Sequence, residues 1–176
     1  LREAGHEVSL FDCTPYVSND DNSPSRRVKY LQYRPFSLKE MGFMPKGSDM
    51  LQDYRAFVEE FQPELIIVSV VEDTLRQARA LAKAVEELEI RTLWGGVFMT
   101  AAPEESLSYP EIRMIGVGEG EQIVLDVAER VSSGKGCEDI PGVWLKKSDG
   151  SIVKNARGRL VDIERPLPDY SLFDRD

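Results

Sequence analysis

Residues 65–71 read LIIVSVV, seven positions of which only Ser69 is polar and most of the rest are β-branched. A strand with one wet face alternates polar and apolar residues. A short run without alternation belongs to a strand covered on both faces, as in a parallel sheet between layers of helix. Parallel neighbours in turn require crossovers of a dozen or more residues, so amphipathic helices should flank the run.

They do. Ser48 is expected to cap a helix whose Met50, Leu51, Tyr54, Phe57, Val58 and Phe61 share one face, closed by Pro63. Asp73 or Thr74 is expected to cap the next, with Leu75, Ala78, Leu81, Ala82, Val85 and Leu88 as its core stripe. RTLW (91–94) predicts a strand stopped by Gly95-Gly96, followed by a loop and a short helix opened by Pro103. RMIGV (113–117) predicts another strand, and the helix after it buries Ile123, Val124, Val127, Ala128 and Val131 before Gly134 ends it. Upstream, HEVSLFD (6–12) predicts a further strand ending at Asp12.

This rhythm predicts an α/β fold over 1–136, a Rossmann-like (flavodoxin-like) parallel sheet with flanking helices. GVWLKKSDGSIVKN predicts a C-terminal β-hairpin appended within 137–158, and 159–176 reads as an extended linker. In a flavodoxin-like strand order the first strand is central, between those expected at 6–12 and 65–71. The first strand is apparently missing, and Ala4-Gly5 reads as the end of a helix, so either that strand is expected upstream of residue 1 or another segment is expected to fill its slot. Residues 13–47 lack periodicity and carry Arg26, Arg27 and Lys29, which are weighed as contacts for ligand phosphate or carboxylate against ordinary solvated charge.

Composition excludes several functions. A net charge of -9 argues against a broad nucleic-acid face. No apolar run reaches the roughly 18 residues a membrane span needs. Cys13 and Cys137 are the only cysteines and form no ligand spacing, so no metal site is expected from them. With no signal peptide pattern in LREAGHEV, a reducing, cytoplasmic setting is expected.

Ligands of open parallel sheets sit beyond the carboxyl ends of the strands. Three such ends carry small residues here: Ser69, Gly95-Gly96, and Gly116, Gly118 and Gly120 in GVGEGEQ. The spacing is not G-x-G-x-x-G, since Glu121 stands at the third position, and no loop ends in Gly-Lys-Ser/Thr. Glu119 and Glu121 suit a helix N-terminus but repel a phosphate placed there. Asp12, Glu72 and Asp73 read as turn and cap residues rather than an acid–base cluster, Trp94 as core, and Trp144 as an anchor of the hairpin.

The ordered set GG-x-x-x-T-x-x-P-E-E at 95–105, G-E-G-E at 118–121 and P-L-P-D-Y at 166–170 resembles the N-terminal cobalamin-binding domain of cobalamin-dependent radical SAM enzymes, over essentially the whole chain. The resemblance implies a corrinoid over the carboxyl edge of the sheet. Ser69, Val70 and Val71 would flank its nucleotide tail, Gly95 and Gly96 would admit the base or ribose to the backbone, and Gly118, Glu119 and Gly120 would lie near the tail or corrin rim. It also implies S-adenosylmethionine and a 4Fe–4S cluster in a radical SAM barrel of the same parent chain, because no C-x-x-x-C-x-x-C exists here. These residues alone are then not expected to catalyse. The parent reaction implied is methyl transfer, and the anaerobic cyclase of magnesium-protoporphyrin ester is similar in this region.

No D-x-H-x-x-G is present, so a histidine ligand below cobalt is not expected. His6 stands at the other end of the fold. The rival class is a non-catalytic receiver-like or flavodoxin-like module. SVVED at the strand end and a GVGEGEQ loop without lysine fit a receiver poorly, and the glycines fit flavin poorly.

Overall fold

The computed structural model describes residues 1–16, 28–31, 40, 42, 44–160 and 169–173; Arg26, Arg27 and most of the linker expected at 159–176 lie outside them. Among the described residues, strands β1 (Leu65–Ser69), β2 (Arg91–Gly95), β3 (Met114–Gly116), β4 (Val143–Lys146) and β5 (Ile152–Lys154) form one open sheet in that order. The first three are parallel, and β4 and β5 are antiparallel. Helices α1 (Met50–Phe61), α2 (Glu72–Ala84), α3 (Val97–Ala101), α4 (Pro103–Ser108) and α5 (Gly120–Ser132) lie between and around the strands. None is long and apolar enough to cross a membrane.

The central strands β2 and β3 have two dry faces, but β1 at the edge of the sheet does not have the two-sided cover its apolar run predicts, since Ile67 is 41% exposed and Ser69 is exposed. Trp94 and Ile115 point to one side, into a core with Leu75 of α2, Met99 of α3 and Leu107 of α4. Their neighbours Leu93 and Met114 point to the other, against Ile123 and Val127 of α5. Trp94, Met99, Ile115 and Val127 have no exposed surface, each contributing about 1.5–3 kcal/mol by burial. A third cluster joins α1 to α2 through Tyr54, Val58, Leu81 and Val85.

Several local expectations are corrected. Residues 6–12 form no strand. A strand needs a ladder partner at its side, and this segment is instead held by side chains, with the Phe11 ring 5.0 Å from Tyr54 and 5.5 Å from Phe57. The hairpin is not a separate appendage, because β4 pairs with β3 from Met114↔Leu145 to Gly116↔Val143 and extends the main sheet. Lys146 secures it, its Nζ donating to the carbonyls of Leu107 (2.8 Å) and Tyr109 (2.9 Å) at the end of α4. The cap of α1 is Asp49, whose Oδ1 accepts from Leu51 and Gln52 N–H, while the hydroxyl of Ser48 donates to Asp53. At α2 the cap position is Val71, and Thr74 acts from inside the first turn by bonding the N–H and carbonyl of Val71, each at 3.1 Å. The loop expected after Gly96 contains α3, five residues that are too few to show a hydrophobic period.

Candidate functional site

Because β1, β2 and β3 are parallel, their carboxyl ends lie side by side. Ser69 pairs in register with Gly95, Trp94 pairs with Ile115, and beyond the last pair of β1 the Val70 N–H donates to the Gly95 carbonyl at 3.0 Å. The three small-residue ends therefore meet on one edge. Ser69 is exposed there, Val70 is buried, and Val71 is 49% exposed.

The glycines on this edge differ in kind. Gly96 has φ 100° and ψ -179°, a region open essentially to glycine alone. A Cβ at Gly96 would run into the Val70 carbonyl oxygen and stand 2.9 Å from the Val70 nitrogen. Gly118 has φ 108°, and its N–H donates to Thr100 Oγ1 at 3.0 Å, tying the third loop to α3. The fold itself demands glycine at both positions. At Gly95 and Gly120 it does not: neither has positive φ, and a Cβ at either would meet nothing within 4 Å. Beside this open space stand two exposed apolar side chains, Val71 and Val97, the latter 71% exposed. Low backbone flanked by uncovered valines is a shelf suited to a broad, partly apolar ligand.

Charge on the shelf is mainly negative. Glu72 and Asp73 occupy the first turn of α2. Glu119 takes the cap position of α5 without a side-chain cap bond, and Glu121 lies in that helix's first turn. The third loop is also linked to the hairpin. Val117 N–H donates to the Gly142 carbonyl, and Gly142 N–H donates to the Ala156 carbonyl, both at 2.8 Å. Asn155 locks the far side, its Nδ2 lying within 3.0 Å of the Glu138, Ile140 and Val143 carbonyls. Trp144, half-buried against the first core, donates from Nε1 to the Asn155 carbonyl.

The remaining candidates are elsewhere or inert. Asp12 is a turn residue whose Oδ1 accepts from Thr14 N–H. Lys29 stands over the Tyr30 ring at 6.0 Å. His6 lines a cavity of about 300 Å³ with Val8, Leu10, Leu65 and Val131, alongside the outer edge of β1. A second cavity of about 540 Å³ opens at the amino end of the sheet, by Arg91, Met114 and Cys137, away from the glycine loops. Burial pushes both the Cys13 and Cys137 thiols up, with the charge of Asp12 adding to the effect at Cys13. Among the described residues no group of His, Cys, Asp and Glu is placed to hold a metal ion. Thr100 and Asn155 escape sequence reasoning, although Thr100 falls in the quoted GG-x-x-x-T pattern. Its bond to Gly118 spans 18 positions and leaves no local signature.

Residues 36–128, more than half of the chain, match the B12 binding domain family. Among solved structures, the radical S-adenosylmethionine methyltransferase TsrM from Kitasatospora setae, with cobalamin and a 4Fe–4S cluster bound, is similar at 19% identity and a TM-score of 0.57. That match covers 77% of this chain and 27% of TsrM. The cobalamin-dependent S-adenosylmethionine radical enzyme OxsB, with aqua-cobalamin and S-adenosylmethionine bound, is similar at 17% identity and a TM-score of 0.53, over 70% of this chain and 18% of OxsB. No curated protein matches the chain. At these identities the solved structures establish the Rossmann-like fold.

Proposed function

Because the chain belongs to the B12 binding domain family, we propose that it holds cobalamin against the carboxyl edge of its sheet, on the shelf formed by Ser69, Val70 and Val71, Gly95 and Gly96, and Gly118, Glu119 and Gly120. The observation that carries this reading is the pair Gly95 and Gly120, glycines that face open space and that neither sterics nor φ requires. A ligand lying against the backbone supplies the missing reason. Exposed Val71 and Val97 give that ligand an apolar border. Gly96 and Thr100 set the height of the second and third loops, so the shelf is rigid where the ligand would rest.

When bound, cobalamin supplies a cobalt centre able to carry a transferable alkyl group. The chain's own part is to orient the corrin and to exclude water from one side of it. Val71 and Val97 do the excluding, and the backbone of Gly95 and Gly118 does the orienting. Among the described residues no histidine stands on this edge, and Gly95 and Gly118 would hold the group through backbone contacts.

The parent activity is read as that of a radical SAM methyltransferase, supported by the fold shared with TsrM and OxsB. S-adenosylmethionine and the 4Fe–4S cluster would bind outside these 176 residues, which lack a C-x-x-x-C-x-x-C segment. A radical SAM domain is then the partner on the same chain, and 159–176 is its linker. Two free cysteines suit a reducing, cytoplasmic compartment. The test is to incubate the protein with hydroxocobalamin, dialyse, and record the visible spectrum. Retained corrinoid absorbance is expected, and its complete loss on dialysis refutes the assignment.

A further inference from the structure

The shelf is ringed by carboxylates, and cobalamin carries in its nucleotide tail a phosphodiester whose charge they repel. Arg26 and Arg27 lie outside the described residues, and Lys154 is paired with Glu104 at 2.9 Å. The hairpin supplies another cation. In the antiparallel ladder Trp144 faces Lys154, so β5 runs toward the carboxyl edge and delivers residues 155–158 beside the third loop. There the Arg157 methylenes stand over Gly118, with Cδ 3.9 Å and Cγ 4.0 Å from where a Gly118 Cβ would be. Its backbone is held on one side by the Ala156 carbonyl, which accepts from Gly142, while on the other a Cβ at Gly158 would stand 3.8 Å from Pro141. Arg157 is exposed and makes no ion pair with a described carboxylate.

We infer that Arg157 is the anion contact of this site, donating to the phosphodiester of a cobalamin tail that passes along Gly118. The inference rests on the cobalamin reading above. It also accommodates Glu119 and Glu121: the phosphate does not sit on the α5 N-terminus, where they repel it, but to the hairpin side of the loop. A planar guanidinium next to an anchored residue is well suited to a phosphodiester, with two parallel N–H groups for two oxygens.

Cyanocobalamin and cyanocobinamide, which lacks the nucleotide and its phosphate, separate the possibilities by equilibrium dialysis. The parent protein is expected to prefer cyanocobalamin. Arg157→Gln should weaken cyanocobalamin binding by roughly 5- to 20-fold while leaving cyanocobinamide unchanged. Arg157→Lys should restore part of the difference, and added salt should erode the preference in the parent but not in the glutamine variant. Matching thermal melts establish that the variants fold. Equal weakening of both corrinoids by Arg157→Gln marks a mere support for the loop and overturns the inference, as does an unchanged affinity for both. Failure of the parent protein to bind either corrinoid overturns the cobalamin assignment itself, and the inference with it.

Discussion

Replacing Gly95 by alanine should separate stability from binding. The added methyl meets nothing within 4 Å, the residue lies in β2 without positive φ, and its carbonyl still accepts from Val70 N–H. Alanine restricts the unfolded chain more than glycine does, so the fold gains about 0.4–1 kcal/mol. For a chain of this size that is a rise in Tm of about 1–4 °C. The same methyl occupies the space into which the ligand settles. Lifting a rigid corrinoid or its base off the backbone costs about 1–3 kcal/mol, roughly 5- to 150-fold in Kd. The assay is a thermal melt of the ligand-free protein beside a spectrophotometric titration with hydroxocobalamin. Gly96→Ala is the control of opposite sign: its φ of 100° and the Val70 carbonyl in its path should lower Tm through about 1–3 kcal/mol of backbone strain before overlap is counted. A Gly95→Ala protein that binds hydroxocobalamin as tightly as the parent would refute the shelf. A fall in its Tm would refute the claim that the fold leaves Gly95 optional.

Two further outcomes test the surroundings of the site. Thr100→Val keeps the shape but removes the acceptor of Gly118 N–H, which should cost about 1 kcal/mol and speed amide exchange at Gly118, with Thr100→Ser recovering most of the protection. Glu111, nearly buried on α2's flank, is pushed up by burial, but hydrogen bonds from Arg79, its own backbone and Lys83 outweigh this and hold its carboxyl below the usual 4.5. A depressed carboxylate stabilises the fold above its unfolded pKa and stops doing so as pH falls through its folded value. The Tm gap between the parent and Glu111→Gln should therefore be fully open at pH 7 and close as pH drops below about 4.5, and a pH-independent gap in the melts would sink that assignment.

The sheet and its helices were legible because burial on two faces leaves an apolar run, as at 114–117, and burial on one leaves a period, as at Tyr54, Phe57, Val58 and Phe61. Elements that depend on a distant partner were not. Residues 6–12 have strand composition, but a ladder needs a neighbour. The alternation of 142–155 predicts a hairpin without saying that β4 would join β3. Ser48 and Asp49 are both competent caps one position apart, and only helix phase selects Asp49. At the site, strand ends point to the right edge, yet Gly95 and Gly96 are identical letters. One is forced by its dihedral and its contact with Val70 and the other by nothing in the fold, a distinction that exists only in three dimensions.

Gly142 gives this edge a property beyond shape. By accepting from Val117 and donating to Ala156, it makes the loop after β3, the entry to β4 and the exit from β5 a single hydrogen-bonded unit. None of the three can wander without the others. Their conformational entropy is surrendered when the chain folds, so a ligand arriving later need not organise them. The edge is preorganised, and its affinity should depend on the integrity of the whole hairpin, not only on Arg157 at its exit.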